Sequence, residues 1–70
     1  MAKAQWDDVV ALTKPIFDSG YTPDRNELMD LAYAKDANDD VIDAIDTLGG
    51  RPVASLEQLK ELLTNNGVLA

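Results

Sequence analysis

Five carboxylates fall between Asp36 and Asp46, with no basic residue among them. The run Asp36-Ala37-Asn38-Asp39-Asp40 reads D-x-N-x-D. A calcium loop opens with this spacing, because alternate oxygen-bearing side chains converge on one hard cation. The remainder of that loop fails. Val41 stands where a glycine makes the sharp turn, and Thr47 stands where a glutamate binds through both oxygens. No metal site and no cofactor are expected. Further along, Asp39, Asp43 and Asp46 recur at i, i+4 and i+7 and share one face of a helix. Paired carboxylates perform acid–base chemistry only when a cleft desolvates them and separates their pKa values. A two-turn stripe supplies no cleft, so this acidic face is expected to be solvated.

Other reactive groups are scarce. Ser19, Ser55 and the threonines have no histidine to act as a base, since the chain contains none. Ser55 stands three residues before Gln58, the spacing of a helix-capping box, and is read as a cap. Gly49-Gly50 lacks the G-K-[ST] continuation of a phosphate loop. Trp6 lies at helical spacing from Val9, Val10, Thr13 and Phe17, which makes it a core residue rather than a stacking platform. No catalytic residue is identified, and the chain is expected not to be an enzyme.

The elements that must position these residues are helices. The first is predicted over about residues 5–18, with Leu12 and Ile16 flanking its main apolar face. Pro15 cannot donate to the Ala11 carbonyl, which predicts a kink or an early end near Lys14. The second spans about 24–35. It opens on a capping box of Asp24 and Glu27, with Thr22-Pro23 as a competing start. Leu28, Leu31 and Ala32 face inward, and Met29 and Tyr33 form a second stripe. The third spans about 38–48 and is stopped by Gly49-Gly50 in the left-handed conformation. An extended connector near 51–54 leads to the fourth, about 55–65, followed by the apolar tail Val68-Leu69-Ala70. The fold class is all-α, a single domain made of a compact bundle of four short helices. Its core is predicted to hold Trp6, Val10, Leu28, Leu31, Ile42, Ile45, Leu59 and Leu62.

Composition narrows the partners. The 70 residues carry thirteen acids against six bases, a net charge of −7, and no cysteine. Phosphate binding needs clustered Lys or Arg, so nucleic acid is not expected. An anionic membrane surface is disfavoured for the same reason. No stretch approaches the roughly 20 apolar residues of a membrane span. The first eight residues contain no apolar run of the secretory type, and the expected location is cytoplasmic.

One resemblance is carried by residues 20–63. The pattern Glu27-Leu28, Ala32, Ala37-Asn38-Asp39-Asp40-Val41-Ile42-Asp43-Ala44-Ile45, Leu48 resembles domain of unknown function 2795. That family reads as a capped E-L helix, a D-V-L-x-A-L helix, an L-P-D-R-x-Y-x-S connector and a final helix. Arg51 and Ser55 keep their places in the connector. Gly49 and Gly50 replace its Pro and Asp, and Val53 replaces its aromatic residue. The resemblance implies a small helical fold and carries over no catalytic residue.

Two functions follow as expectations. The first is a non-catalytic interaction module that binds a protein partner or itself, with Met29, Tyr33, Leu12 and Ile16 as the candidate surface. The C-terminal tail is a further candidate. The second is an acidic regulator or nucleic-acid mimic. It would engage a basic protein through the Asp36–Asp46 face, chiefly Asp39, Asp43 and Asp46.

Overall fold

The computed structural model describes residues 3–70. It contains helices α1 (Trp6–Asp18), α2 (Arg25–Ala34), α3 (Asp39–Asp46) and α4 (Leu56–Asn65). Among the described residues there is no strand. An isolated parallel bridge joins Ala4 to Leu69. The fold is the four-helix all-α bundle expected from the sequence.

The starts of α2, α3 and α4 are each set by one side chain that satisfies an otherwise unpaired amide. Asp24 accepts from the Glu27 amide at 2.9 Å, and the Glu27 carboxylate accepts from the Asp24 amide at 3.2 Å, a complete capping box. Asn38 accepts from the Val41 amide at 2.9 Å to open α3. Ser55 accepts from the Gln58 amide at 3.1 Å to open α4. Gln58 reaches back one residue further than a capping box requires, accepting from Ala54 at 2.8 Å. Helix α1 starts without a side-chain cap, with Asp7 and Asp8 in its first turn to complement the helix dipole.

Helices α1 and α4 end where the sequence reading placed them, and α3 does not. Helix α1 runs through Pro15 to Asp18. Pro15 lies in the last turn on an exposed side, where it deletes one hydrogen bond without ending the helix early. Helix α3 stops at Asp46, two residues before the expected end. The Thr47 hydroxyl donates to Ala44 O at 2.7 Å, and Leu48 N bonds Ile45 O at 3.0 Å, a tight turn that closes the helix before the glycines. Neither Gly49 nor Gly50 has a positive φ. Left-handed residues instead follow the other three helices: Gly20, φ 84°, after α1, Asp36, φ 53°, after α2, and Gly67 after α4. Ala37 N bonds Ala32 O at 2.9 Å and Asp36 N bonds Tyr33 O at 3.2 Å, closing α2 in a Schellman turn. Gly67, φ 72°, does the same for α4.

The buried cluster draws on all four helices. It comprises Ala4, Val9, Leu28, Ala32, Val41, Ala44, Ile45, Leu48, Val53, Leu59 and Leu63. Of the predicted core, Leu28, Ile45 and Leu59 are fully buried, whereas Trp6, Val10, Leu31, Ile42 and Leu62 are half-buried. Smaller neighbours on the same faces, Val9, Ala32, Val41 and Ala44, take the centre. A bundle of 70 residues has no room to enclose an indole, so Trp6 lies at the rim under the Lys60 ammonium, 5.7 Å from its ring centroid. Thr13 is the one buried polar side chain among the described residues, and its hydroxyl donates to Val9 O at 2.8 Å.

Two connections outside the helices close the bundle. Val53 N in the connector donates to Pro23 O at 2.8 Å, tying the α3–α4 link to the α1–α2 link. The tail is also fixed: Ala4 N donates to Val68 O at 2.9 Å and Ala70 N to Ala4 O at 2.8 Å. Val68 and Leu69 pack on the core. The tail is therefore part of the fold, with Val68 and Leu69 half-buried.

Ile45 is wholly buried in a core with few members. Ile45→Ala is expected to lower stability by about 2–5 kcal/mol, a large share of what so small a domain possesses. Thermal or urea unfolding measures it, and an unchanged midpoint would remove Ile45 from the core.

Candidate functional site

The four candidate contact residues fall on two helices. Tyr33, one turn after Met29 on α2, is 62% exposed, ahead of the other large exposed hydrophobic residue, Tyr21, at 48%. Met29 is half-buried and packs on the core, so it forms the inner edge of the stripe and Tyr33 the outer. On α1, Leu12 is half-buried against the core. Ile16 is half-buried near the C-terminal end of the same helix.

The acidic residues of α3 divide into two groups. Asp39, Asp43 and Asp46 are exposed, opposite the buried face of Val41, Ala44 and Ile45. Asp46 has a partner: the Arg25 guanidinium binds its carboxylate, and Arg25 Nε donates to its backbone carbonyl at 3.0 Å. Exposed pairs of this kind add little stability, but they neutralise the charge they hold. Asp39 and Asp43 remain. At the other end of α3, Asn38 Nδ2 lies 3.5 Å from the Asp8 carboxylate, a long contact that brings the acidic first turns of α1 and α3 together.

The D-x-N-x-D segment is not arranged as a metal loop. The Asn38 side-chain oxygen is taken by the Val41 amide, and Asp36 sits in the left-handed turn that ends α2. Among the described residues no group of three or more acidic, histidine or cysteine side chains is placed to hold a metal ion. The hydroxyls are engaged in local structure. Ser19 donates to Ile16 O at 2.6 Å, Ser55 caps α4, and Thr47 donates to Ala44 O.

Tyr21 is a feature that periodicity does not reveal. It precedes α2, outside any apolar stripe, and its hydroxyl donates to the Glu27 carboxylate. Glu27 thus serves both the capping box and the phenol. The signal for this pairing is the placement of a tyrosine just upstream of a capping-box glutamate. The bond to Glu27 pushes the Tyr21 hydroxyl above its ordinary value near 10, with partial burial and the Glu27 and Asp24 charges acting in the same direction.

The chain matches no protein-family model, no curated protein and no solved structure. No helix among the described residues is long and apolar enough to cross a membrane.

The Tyr21 pairing has a pH signature. A phenol whose folded pKa exceeds its unfolded value stabilises the fold below the unfolded value, and that contribution is lost as pH rises through the folded one. In a Tyr33→Phe background, Glu27→Gln is expected to bring the Tyr21 titration down towards the ordinary phenol range and to remove this component of alkaline destabilisation. Glutamine retains an oxygen for the Asp24 amide. Phenolate absorbance against pH measures the change, and an unmoved Tyr21 titration would show that the Glu27 contact is not formed in solution.

Proposed function

We propose that this chain is a non-catalytic protein-interaction module whose contact surface is centred on Tyr33 and Met29 of α2. The observation that carries the reading is the 62% exposure of Tyr33 on a helix whose other large apolar residues, Leu28, Met29 and Leu31, are buried or half-buried. An aromatic ring costs little conformational entropy to immobilise and contributes disproportionately to interfaces, and an adjacent methionine adapts to varied partners. The partner is a protein, a second copy of the chain included. A net charge of −7 opposes pairing of two copies at low salt, and added salt relieves that repulsion. The absence of catalysis belongs to the same proposal. It is supported by the engagement of Ser19, Ser55 and Thr47 in helix ends.

A second reading is favoured by one contact. The approach of Asn38 to Asp8 joins the first-turn acids Asp7, Asp8, Asp39 and Asp40 into one negative region. A basic protein is its natural counterpart, which keeps the acidic-regulator reading alongside the first. Asp46 contributes less to that face than its spacing implies, since Arg25 holds it. Kinship with domain of unknown function 2795 is proposed on its residues, with Ser55 serving as the α4 cap at the motif position. Cytoplasmic residence is part of the same proposal, on the acidic, cysteine-free composition.

The two surfaces separate by salt and by mutation. Sedimentation across a wide concentration range, and partner capture at low and high salt, are expected to depend on Tyr33→Ala and Met29→Ala. An aromatic anchor is worth about 2 kcal/mol or more at an interface, roughly thirtyfold in affinity. Complexes that vanish with salt yet ignore both substitutions belong to the acidic region. A chain that stays monomeric and captures nothing through Tyr33 leaves the stripe as the edge of the core.

A further inference from the structure

The asparagines of the chain are Asn26, Asn38, Asn65 and Asn66, and Asn66 alone is followed by glycine. An Asn-Gly pair is the sequence in which an asparagine most readily loses its side-chain amide. The next main-chain nitrogen attacks the side-chain carbonyl carbon, and glycine has no Cβ to obstruct the approach. This pair joins the end of α4 to the C-terminal tail, and both residues are exposed to water. The fold nonetheless holds the pair out of reacting geometry. Gly67 N donates to Thr64 O at 3.1 Å, so the nucleophile is engaged. Asn66 has ψ −7°. A five-membered ring needs Cβ and the Gly67 nitrogen nearly eclipsed about the Cα–C bond, and this ψ turns them apart. The side chain is drawn towards the end of α3 instead. Asn66 Nδ2 donates to Thr47 Oγ1 at 3.0 Å and lies 3.4 Å from Thr47 O.

We propose that Asn66-Gly67 is a self-modification site kept closed by the last turn of α4, and that its conversion to isoaspartate releases the C-terminal tail. When the turn opens, Gly67 N bonds to Asn66 Cγ. The Cγ–Nδ2 bond breaks, and ammonia departs with the proton that the Gly67 nitrogen gives up. Water then opens the cyclic imide at one of its two carbonyls. Opening at Cγ gives aspartate. Opening at the main-chain carbonyl gives isoaspartate, whose main chain runs through the side-chain methylene. Water is the sole co-reactant, and nothing is oxidised or reduced. Either product loses the donor to Thr47 and adds a negative charge at the C-terminal end of α4, where the helix dipole disfavours it. Isoaspartate does more. Its extra main-chain atom breaks the register of the bonds from Gly67 N to Thr64 O and from Val68 N to Leu63 O. The tail beyond them meets Ala4 through the bonds from Ala4 N to Val68 O and from Ala70 N to Ala4 O, which the shift pulls out of line. Ala4, 1% exposed, then loses its cover. The site is separate from the Tyr33 stripe and does not depend on it.

The full chain is aged at mildly alkaline pH, digested, and mapped by electron-transfer mass spectrometry, which separates aspartate from isoaspartate. Asn66 is expected to gain the mass of an amide-to-acid conversion ahead of Asn26, Asn38 and Asn65, with isoaspartate as the main product. It is expected to convert several-fold more slowly than in the blocked peptide acetyl-Thr-Asn-Asn-Gly-Val-Leu-amide, because the turn must first open locally. Hydrogen exchange of the isoaspartyl form is expected to show lost protection at the Ala4 and Ala70 amides, with Leu28 and Ile45 still protected. Asn66→Gln would have to close a larger ring, and is expected to leave position 66 unmodified and the tail protected over the same period. Asn66→Asp carries the charge without the longer main chain, and is expected to keep Ala4 and Ala70 protected. Earlier conversion at another asparagine, equal rates in protein and peptide, or unchanged protection in the isoaspartyl form would each overturn the proposal. Lost protection in Asn66→Asp would overturn it too, since the charge and not the isoaspartyl linkage would then release the tail.

Discussion

Leu28, Ile45, Leu59 and Leu63 are wholly buried, and the need to cover them determines most of the molecule. A 70-residue chain buries only about 60% of its unfolded surface, and this one has no cysteine or histidine with which to add a disulfide or a zinc site. Each short helix must then present one face to the same cluster. Helices of eight to thirteen residues are marginal alone, so their ends are fastened by side chains. Asp24 with Glu27, Asn38 and Ser55 hold the starts, and the left-handed residues Asp36 and Gly67 help close the ends. The bond from Val53 to Pro23 and the bridge from Ala4 to Leu69 then cover the sides that helices leave open.

What was legible in the sequence is what local chemistry fixes. Asp24, Asn38 and Ser55 each stand three residues before the amide they cap, and the apolar periodicity behind them identifies four helices. What was not legible depends on distant neighbours. Trp6 and Val9 share a face of α1, and only the size of the bundle decides that the valine takes the centre. Gly49-Gly50 marks a stop by type, but Thr47 and Leu48 reach the last carbonyls first. At the end of α2 the left-handed position is held by Asp36, since aspartate tolerates it better than most residues. The tail reads as loose apolar chain, because the pairing of Ala4 with residues 68–70 joins opposite ends of the sequence.

The surface follows the same division. Tyr33 and Met29 share a stripe by spacing alone, but spacing does not distinguish the packed thioether from the exposed ring. Asp39, Asp43 and Asp46 share a face by spacing, but Arg25, twenty-one residues away, takes Asp46 out of it. Once the core and caps are accounted for, two features remain unclaimed: an exposed aromatic residue on α2 and a negative region at two helix starts. The proposed contact role rests on the first of these.

Photo-crosslinking tests the central reading most directly. A photoreactive phenylalanine analogue at position 33 keeps an aromatic ring on the stripe, and the same analogue at position 61, on the exposed side of α4, serves as the control. Irradiation in cells is predicted to give a discrete protein adduct from position 33 and none from position 61. No adduct from either position, or the same smear from both, would contradict an interaction surface centred on Tyr33.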